Sequence, residues 1–176
     1  MFRNKKIYLS TAIIPLLLFL TIAEISSQNR GIESSGRLFH IERSKNKNLV
    51  CYDVNLSDGI LDLNQPLDIY WVNQEENVGE IKGLSGIQKR LAYGFKIVSK
   101  GNDTCKITLT AYPERELTIR KEADQYICVI TINNQPCILQ KLYVKAKDGN
   151  SLSVEYVELT GQSIHSGEKV TERVVK

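Results

Sequence analysis

Short runs in which every second residue is apolar dominate the chain from Leu38 onward. Phe39 and Ile41 begin the pattern, and it recurs at Val50/Tyr52/Val54, Ile69/Trp71, Ile107/Leu109/Ala111, Leu117/Ile119, Ile127/Val129, Leu142/Val144/Ala146 and Leu152/Val154/Tyr156. A period of two matches the alternation of side chains along a β-strand. One-sided alternation is typical of antiparallel sheets, because parallel strands are apolar on both faces. The pattern therefore predicts an all-β, antiparallel fold.

Turn-forming residues separate these runs, at Asp58-Gly59, Gly101-Asn102-Asp103, Tyr112-Pro113, Asn133-Asn134, Asp148-Gly149 and Thr160-Gly161. Regular spacing of this kind predicts a small barrel or a sandwich of about eight strands. Residues 84–94 break the pattern. There, Ser85 and Gln88 stand at capping-box spacing, Ile87 and Leu91 share a helical face, and Gly94 can end a helix in the left-handed conformation. We expect one short helix of about two turns on the sheet.

The N-terminus has the pattern of an export signal. Arg3, Lys5 and Lys6 precede an apolar core at residues 11–23, which is shorter than the roughly 20 residues of a membrane-spanning helix. Small residues suitable for cleavage follow the core. We expect a signal peptide at 1–27, a mobile leader at 28–37 and a single β-rich domain at 38–176, located in the periplasm or outside the cell. An uncleaved signal anchor is the alternative.

Removal of the signal leaves a nearly neutral chain. The full sequence has 23 basic and 20 acidic residues, of which three basic residues and Glu24 lie in the first 27. Nucleic-acid binding depends on a basic surface, so we expect no nucleic-acid partner. We expect membrane contact only through the signal segment.

Four cysteines, Cys51, Cys105, Cys128 and Cys137, lie beyond the signal. An exported protein can form disulfides. However, the chain has no CxxC motif, and Cys51, Cys128 and Cys137 stand in the setting of buried strand residues. Cys128 and Cys137 flank the Asn133-Asn134 turn as diagonal neighbours about 7 Å apart, which is too far for easy bridging. Free buried thiols and one or more disulfides are both compatible with the sequence.

Polar side chains meet on one face of the first predicted hairpin. A four-residue loop at 44–47 pairs Ile41 with Val50 on an apolar face. The opposite face then places His40 across from Cys51 and carries His40, Glu42, Cys51 and Asp53. A thiol beside an imidazole that a carboxylate orients is the arrangement of a cysteine nucleophile. A polar patch that binds a ligand and an ordinary solvated face are the alternatives.

Aromatic residues form the second candidate group. Tyr70 and Trp71 share a strand and Tyr93 closes the predicted helix, where they can line the mouth of a ligand site or simply pack in the core. The predicted binding set is therefore His40, Glu42, Tyr52, Asp53, Tyr70, Trp71 and Tyr93. The only histidines, His40 and His165, lack a known metal-ligand spacing. The G-x-S-x-G and phosphate-loop motifs are also missing, so we expect no metal and no cofactor.

Several segments resemble a known family: LFHIERSKNKNLVCYD (38–53), YWV (70–72), LSGIQKRLAYG (84–94) and VEYVELTG…GEKVTERV (154–174). They are similar to family 4833 of the domain-of-unknown-function series, over residues 38–174. The resemblance implies an exported protein of Bacteroidetes-type bacteria and favours the periplasm. It implies no activity and assigns no catalytic residue.

Three classes of function follow from these observations. The leading expectation is a non-catalytic β-barrel or sandwich that binds a small or lipidic ligand. The first alternative is a structural or interaction protein of the cell envelope, with a candidate free strand edge at residues 154–159 for a partner protein. The second alternative is a hydrolase-like enzyme that uses a Cys51/His40 pair.

Overall fold

The computed structural model describes residues 36–176, so the predicted signal peptide and most of the leader lie outside the described residues. The strands are β1 (Arg37–Arg43), β2 (Asn46–Val54), β3 (Leu56–Ser57), β4 (Ile60–Leu61), β5 (Leu67–Val72), β6 (Ile81–Gly83), β7 (Phe95–Gly101), β8 (Thr104–Leu109), β9 (Tyr112–Glu122), β10 (Gln125–Ile132), β11 (Gln135–Lys147), β12 (Asn150–Ser163) and β13 (Lys169–Val175). Helix α1 (Gly86–Gln88) continues into a π-helical turn, Lys89–Tyr93.

The prediction of an all-β fold with one short helix is confirmed, although the described residues contain more than the eight strands expected. The additional strands include β3, β4 and β6. Each of these has only two or three residues, so none contains enough of a repeat to be recognised from its periodicity.

Strand β11 is the branch point of the sheet. One edge of β11 pairs along most of its length with β12, which also pairs with β13. The other edge pairs with β10 through residues 135–138 and with β1 through residues 141–144. The sheet extends from β11 through β10, β9 and β8 to β7, and through β1, β2 and β5 to β6, and it curls into a half-barrel. The β1–β11 pair is parallel, whereas the other described pairs are antiparallel.

The hydrophobic core lies mainly on the concave face of this half-barrel. Its largest fully buried side chains come from both arms of the sheet and include Phe39, Tyr52, Leu67, Ile107, Leu117, Ile130, Leu139 and Leu159. Burial of each such side chain contributes roughly 1.5–3 kcal/mol. In β10, the buried residues are Cys128, Ile130 and Ile132, whereas the predicted inward residues Ile127 and Val129 are half-buried. The prediction was wrong there because both faces of β10 are apolar.

All four cysteines are free and buried. Cys105 of β8 and Cys128 of β10 both pair with Ile119 of β9, which lies between them. Two strand spacings of about 4.8 Å each therefore separate the two cysteines. Cys137 pairs with Ile130, which makes it a diagonal neighbour of Cys128. Neither arrangement suits a disulfide. Of the two cysteine states compatible with the sequence, the structure has the free thiols.

The first hairpin has the predicted register, with Ile41 paired with Val50 and His40 paired with Cys51. Its loop is shorter than the predicted four residues, because only Ser44 and Lys45 lie between the strands. A register shift between Ile41 and Arg43 absorbs the difference and leaves the middle of the hairpin unchanged.

The segment between β6 and β7 has the predicted start and a different end. Ser85 and Gln88 form the capping box: the Ser85 side chain accepts from the Gln88 N–H, and the Gln88 side chain accepts from the Ser85 N–H. However, Ile87 and Leu91 are exposed, so the predicted inward face is wrong. The buried side chains of this segment are those of Leu84 and Tyr93. The α-helical turn widens into a π turn, which displaces residues after Gln88 from the expected helical face.

Two glycines lie where neighbouring backbone approaches closely. Gly94 has an extended conformation instead of the predicted left-handed one, and an added Cβ would lie 2.2 Å from the carbonyl oxygen of Lys89. Gly161 lies inside β12, where an added Cβ would lie 2.6 Å from the carbonyl oxygen of Ile138. The predicted turn at Thr160-Gly161 is therefore wrong. Residues 154–159 are also paired with β11 on one side, and residues 156–159 with β13 on the other, so the predicted free edge is covered.

Candidate functional site

The seven predicted binding residues lie on two different faces of the curled sheet. His40, Glu42, Asp53 and Tyr70 share the convex face. Tyr52, Trp71 and Tyr93 belong to the concave side, where they pack in or against the core. The separation follows from strand alternation, because Tyr52 and Asp53 are adjacent residues of β2, as are Tyr70 and Trp71 of β5. The structure therefore contains two candidate sites.

The convex-face site is centred on an ion pair between Arg37 and Asp53. Tyr70 joins both residues: its hydroxyl donates to Asp53 Oδ2 at 2.6 Å and accepts from Arg37 Nη2 at 3.0 Å. Arg37 pairs with Asp53 and Phe39 with Tyr52, so Leu38 is an extra residue in β1. This bulge turns Arg37 onto the same face as His40, which a regular strand would not do.

His40, Glu42 and Lys141 form the second part of the convex-face site. His40 Nε2 lies 3.3 Å from Glu42 Oε1, and Lys141 Nζ donates to Glu42 Oε2 at 3.0 Å. Burial lowers the pKa of His40, although the hydrogen bond to Glu42 opposes this effect. Burial alone would raise the pKa of Glu42, but the hydrogen bonds with Lys141 and His40 outweigh it and lower that pKa. The face holds charges that are already paired with one another.

Cys51 is fully buried beside these charges. Burial raises the pKa of its thiol to about 11, despite the nearby positive charge of Arg37. A thiolate is the reactive form of cysteine, and a thiol with this pKa is almost entirely protonated near neutral pH. Among residues 36–176, the hydrogen-bond partner of the His40 ring is Glu42 and not Cys51. The geometry does not activate Cys51 as a nucleophile.

Aromatic contacts hold the helical segment against the concave face. The Tyr52 ring stacks on Phe39 with centroids 4.4 Å apart, and its hydroxyl donates to the backbone carbonyl of Tyr93 at 2.8 Å. The Trp71 and Tyr93 rings meet edge to face at 5.2 Å. The hydroxyl of Tyr93 accepts from Arg43 Nη1 at 2.8 Å. Tyr93 therefore joins the segment to β1, β2 and β5.

A cavity of about 290 Å³ lies next to this contact. Its wall is predominantly aliphatic and aromatic, and Arg43 is the one charged residue among the described lining residues, which are Ile41, Arg43, Leu91, Ala92, Tyr93, Leu109, Ala111, Tyr112, Leu142, Val144, Val154 and Val157. Leu91 and Ala111 are exposed, which places the mouth of the cavity beside the helical segment. The cavity therefore combines an apolar wall with one cationic group.

Sequence reasoning found Tyr93 but missed the other lining residues, above all Arg43. Leu142 and Val157 come from strands far along the chain, and Arg43 follows the regular part of the first hairpin. The one available signal is that Arg43 sits two residues after Ile41, on the same side of β1 as the apolar face.

Within residues 36–176, no group of three or more His, Cys, Asp or Glu side chains is arranged to bind a metal ion. The same part of the chain contains no helix that is long and apolar enough to cross a membrane.

A model of the family described as a domain of unknown function (DUF4833) matches residues 39–173, which is more than half of the 176-residue chain. No curated protein and no solved structure matches the chain.

Proposed function

The chain belongs to the DUF4833 family, and we propose that this member is an exported protein whose half-barrel binds an amphipathic small molecule. The apolar part of the ligand occupies the cavity, and its anionic group binds Arg43. The location is periplasmic or extracellular, as the N-terminal pattern predicts. The observation that supports this proposal most strongly is an apolar cavity of about 290 Å³ in which Arg43 is the single charged residue among the described lining residues.

The cavity resembles typical ligand sites in its size and composition. Such sites occupy roughly 300–1,000 Å³ and combine apolar walls with a few polar groups that fix the orientation of the ligand. The cavity volume of about 290 Å³ lies just below this range and suits one acyl chain of moderate length. The planar guanidinium of Arg43 can donate two parallel hydrogen bonds to a carboxylate or phosphate. The Tyr93 hydroxyl, 2.8 Å from Arg43 Nη1, orients that side chain near the cavity.

The other two functions have less support. The hydrolase alternative needs a reactive Cys51, whereas burial raises the pKa of this thiol to about 11. The interaction alternative needs an accessible strand edge. The edge strands β6, β7 and β13 each carry exposed charges, and charges of this kind oppose strand addition. These residues are Lys82 in β6, Lys96 and Lys100 in β7, and Lys169 and Arg173 in β13.

The test is a comparison of fatty acids with the matching alcohols. Binding of decanoate and decanol to the purified protein is measured by titration calorimetry. We expect Arg43→Gln to weaken decanoate binding by at least about 10-fold, because a hydrogen bond to a charged group is worth about 1.5–3 kcal/mol. Decanol binding should change little, which also shows that the variant is folded. The matched control is Arg90→Gln, an exposed residue of the same helical segment that does not line the cavity.

A second variant tests the position of the acyl chain. Ala92→Phe adds a ring to a half-buried position in the cavity wall and should weaken binding of both compounds. Ile87→Phe enlarges an exposed residue of the same segment and should leave binding unchanged. If decanoate does not bind, or if its affinity is the same in the wild type, Arg43→Gln and Ala92→Phe, the proposal is wrong.

A further inference from the structure

Positive charge is concentrated in the segment that carries the helix. Residues 81–102 contain five basic residues, Lys82, Lys89, Arg90, Lys96 and Lys100, and no acidic residue. The rest of the 176-residue chain therefore contains 18 basic and 20 acidic residues. Among the described residues, Lys89, Arg90 and Lys96 have no ion-pair partner, so their charges are available to a negatively charged surface.

Large aliphatic side chains lie exposed among these charges. Ile81, Ile87 and Leu91 are 57%, 63% and 66% exposed. Lys89 lines one shallow depression together with Ile81 and the exposed Asp68, and another together with Arg90 and Lys96. Ile87 and Leu91 belong to the same exposed helical segment as Lys89 and Arg90. We call these exposed residues the basic-apolar face: Ile81, Ile87, Lys89, Arg90, Leu91 and Lys96.

The basic-apolar face borders the mouth of the cavity. Leu91 belongs to both, since it is an exposed residue of the face and also lines the cavity. Any surface that covers the face would therefore lie next to the cavity entrance.

In contrast to the sequence-based expectation that only the signal segment contacts the membrane, we propose that the basic-apolar face docks on an anionic phospholipid surface and presents the mouth of the cavity to the bilayer. Exposed aliphatic residues surrounded by Lys and Arg are typical of protein surfaces that lie in the membrane interface. The basic side chains bind anionic head groups, while Ile87 and Leu91 enter the boundary of the acyl chains. The role of the bilayer as a source of ligand rests on the function proposed above, whereas the docking itself does not.

An acidic protein is the other partner that the charge would suit. Protein interfaces concentrate their binding energy in Trp, Tyr and Arg anchors within well-packed pockets. The exposed apolar residues of the basic-apolar face are aliphatic, and its depressions are shallow. The continuity of the face with an apolar cavity also favours a lipid surface, because a single acyl chain could then enter without crossing water.

The experiment is sedimentation of the protein with vesicles of phosphatidylcholine alone or mixed with phosphatidylglycerol. We expect binding to the mixed vesicles, with an affinity that falls as salt increases. Each basic residue near an anionic surface is worth about 1 kcal/mol, or roughly a 5-fold change in affinity. The double variant Lys89→Glu/Arg90→Glu should therefore weaken binding by at least about 25-fold. Ile87→Ser should weaken it by about 10-fold, because the side chain no longer enters the interface.

The matched control is Lys121→Glu/Lys147→Glu, which makes the same change of charge at exposed positions outside the face. Equal binding to both vesicle types, or an equal loss in the control, would overturn the proposal. The proposal would also be overturned if the protein bound poly-glutamate as tightly as the mixed vesicles and Ile87→Ser had no effect. An acidic polymer would then be a sufficient partner. Decanoate binding without vesicles, measured on the same variants, separates failure of the docking face from failure of the cavity.

Discussion

At the scale of single residues, one insertion determines which side chains meet on the convex face. Leu38 is the extra residue in β1, and it brings Arg37 onto the face that carries Asp53 and Tyr70. If β1 were regular and had no bulge at Leu38, Arg37 would lie on the opposite face, together with Phe39 and Ile41. The result is a network of paired charges over a buried thiol, and we interpret it as a structural feature that fixes the first hairpin.

The pH dependence of stability tests this interpretation at His40. Burial lowers the pKa of His40 in the folded protein, against the opposing effect of Glu42 and with help from the nearby charges of Arg37 and Lys141. The unfolded chain, with a histidine pKa of about 6.5, therefore binds more protons near that pH, and stability falls as pH drops through this range. We expect His40→Gln to make the decrease between about pH 7 and 5.5 shallower.

The measurement is the urea midpoint at several pH values for the wild type, His40→Gln and the control His165→Gln, whose exposed residue lies in the β12–β13 turn. Glu42, with a lowered pKa, titrates below this range and does not obscure the result. Identical slopes in all three proteins would contradict the prediction.

Much of this residue-level arrangement could be predicted from the local sequence. Strict alternation around Ile41 and Val50 fixes the hairpin register, and with it the position of His40 opposite Cys51. The Leu38 bulge could not be predicted, because an extra apolar residue before Phe39 does not disturb the visible pattern. Lys141 could not be predicted either, since it reaches Glu42 only through the pairing of two strands distant in sequence.

At the scale of elements, the helical segment is held by its two ends. The Ser85–Gln88 capping box fixes the start, while the ring and carbonyl of Tyr93 fix the end against Trp71 and Tyr52. The Gly94 N–H donates to the Lys89 carbonyl at 2.8 Å, which closes the π turn. In this bond the backbone at position 94 lies so close to the Lys89 carbonyl that a residue with a Cβ would clash there.

Gly94→Ala should therefore destabilise the protein by about 2 kcal/mol or more. Its Cβ would lie 2.2 Å from the Lys89 carbonyl oxygen, so the backbone of the π turn would have to move, and overpacking of this kind costs typically 1–3 kcal/mol. Gly86→Ala in α1 is the matched control. It has open space for a Cβ and should be neutral or slightly stabilising, because Ala has the higher helix propensity. Equal urea midpoints for the two variants would show that the π turn tolerates a side chain.

The start of this segment was predictable, but its orientation was not. A capping box is a local signal that depends on residues three apart. The exposed face depends on the π turn, which closes around Gly94 and is held by Tyr93, and no local periodicity of residues 84–94 indicates such a turn. Ile87 and Leu91 consequently appear as core residues in the sequence and as surface residues in the structure.

At the scale of the whole molecule, an ion pair joins the last strand, β13, to β9, which lies on the other side of β11 in the sheet. Arg115 of β9 donates two hydrogen bonds to Glu172 of β13 and one to the Thr131 carbonyl at 2.6 Å. Glu172 also accepts from the Asn133 N–H at 2.8 Å, and the hydrogen bonds from Arg115 lower its pKa. Among the described strands, β13 pairs in the sheet only with β12. This network, together with a bond from Asn133 Nδ2 to the Thr171 carbonyl at 3.0 Å, attaches β13 a second time.

We expect Glu172→Gln to lower the free energy of unfolding by about 1–2 kcal/mol, because it removes charge-assisted hydrogen bonds from a half-buried Arg115. It should also increase hydrogen exchange in β13. Glu158→Gln breaks the more exposed pair between Glu158 of β12 and Arg173 of β13 and should leave stability nearly unchanged, because exposed ion pairs contribute little. Similar effects of the two variants on stability and exchange would contradict a special role for Glu172.

The overall class of the fold could be predicted from the sequence, but its topology could not. Periodicity identifies strands and excludes a largely parallel sheet, yet it gives no information about which distant strands pair. The cavity could not be predicted for the same reason, because Arg43 of β1 meets Leu142 of β11 and Val157 of β12 only in the folded sheet.

The parallel pair of β1 and β11 has a consequence for how the chain reaches this structure. His40 pairs with Lys141, about a hundred residues later, whereas β8 to β13 are joined by short turns between neighbours. Contacts between distant residues carry a high cost in loop entropy and slow folding. The C-terminal strands can thus assemble first, while the β1 edge of the N-terminal hairpin waits for β11 to be synthesised, although β2 can already pair with β5. During synthesis, Phe39 and Ile41 therefore belong to an incomplete sheet that is vulnerable to aggregation.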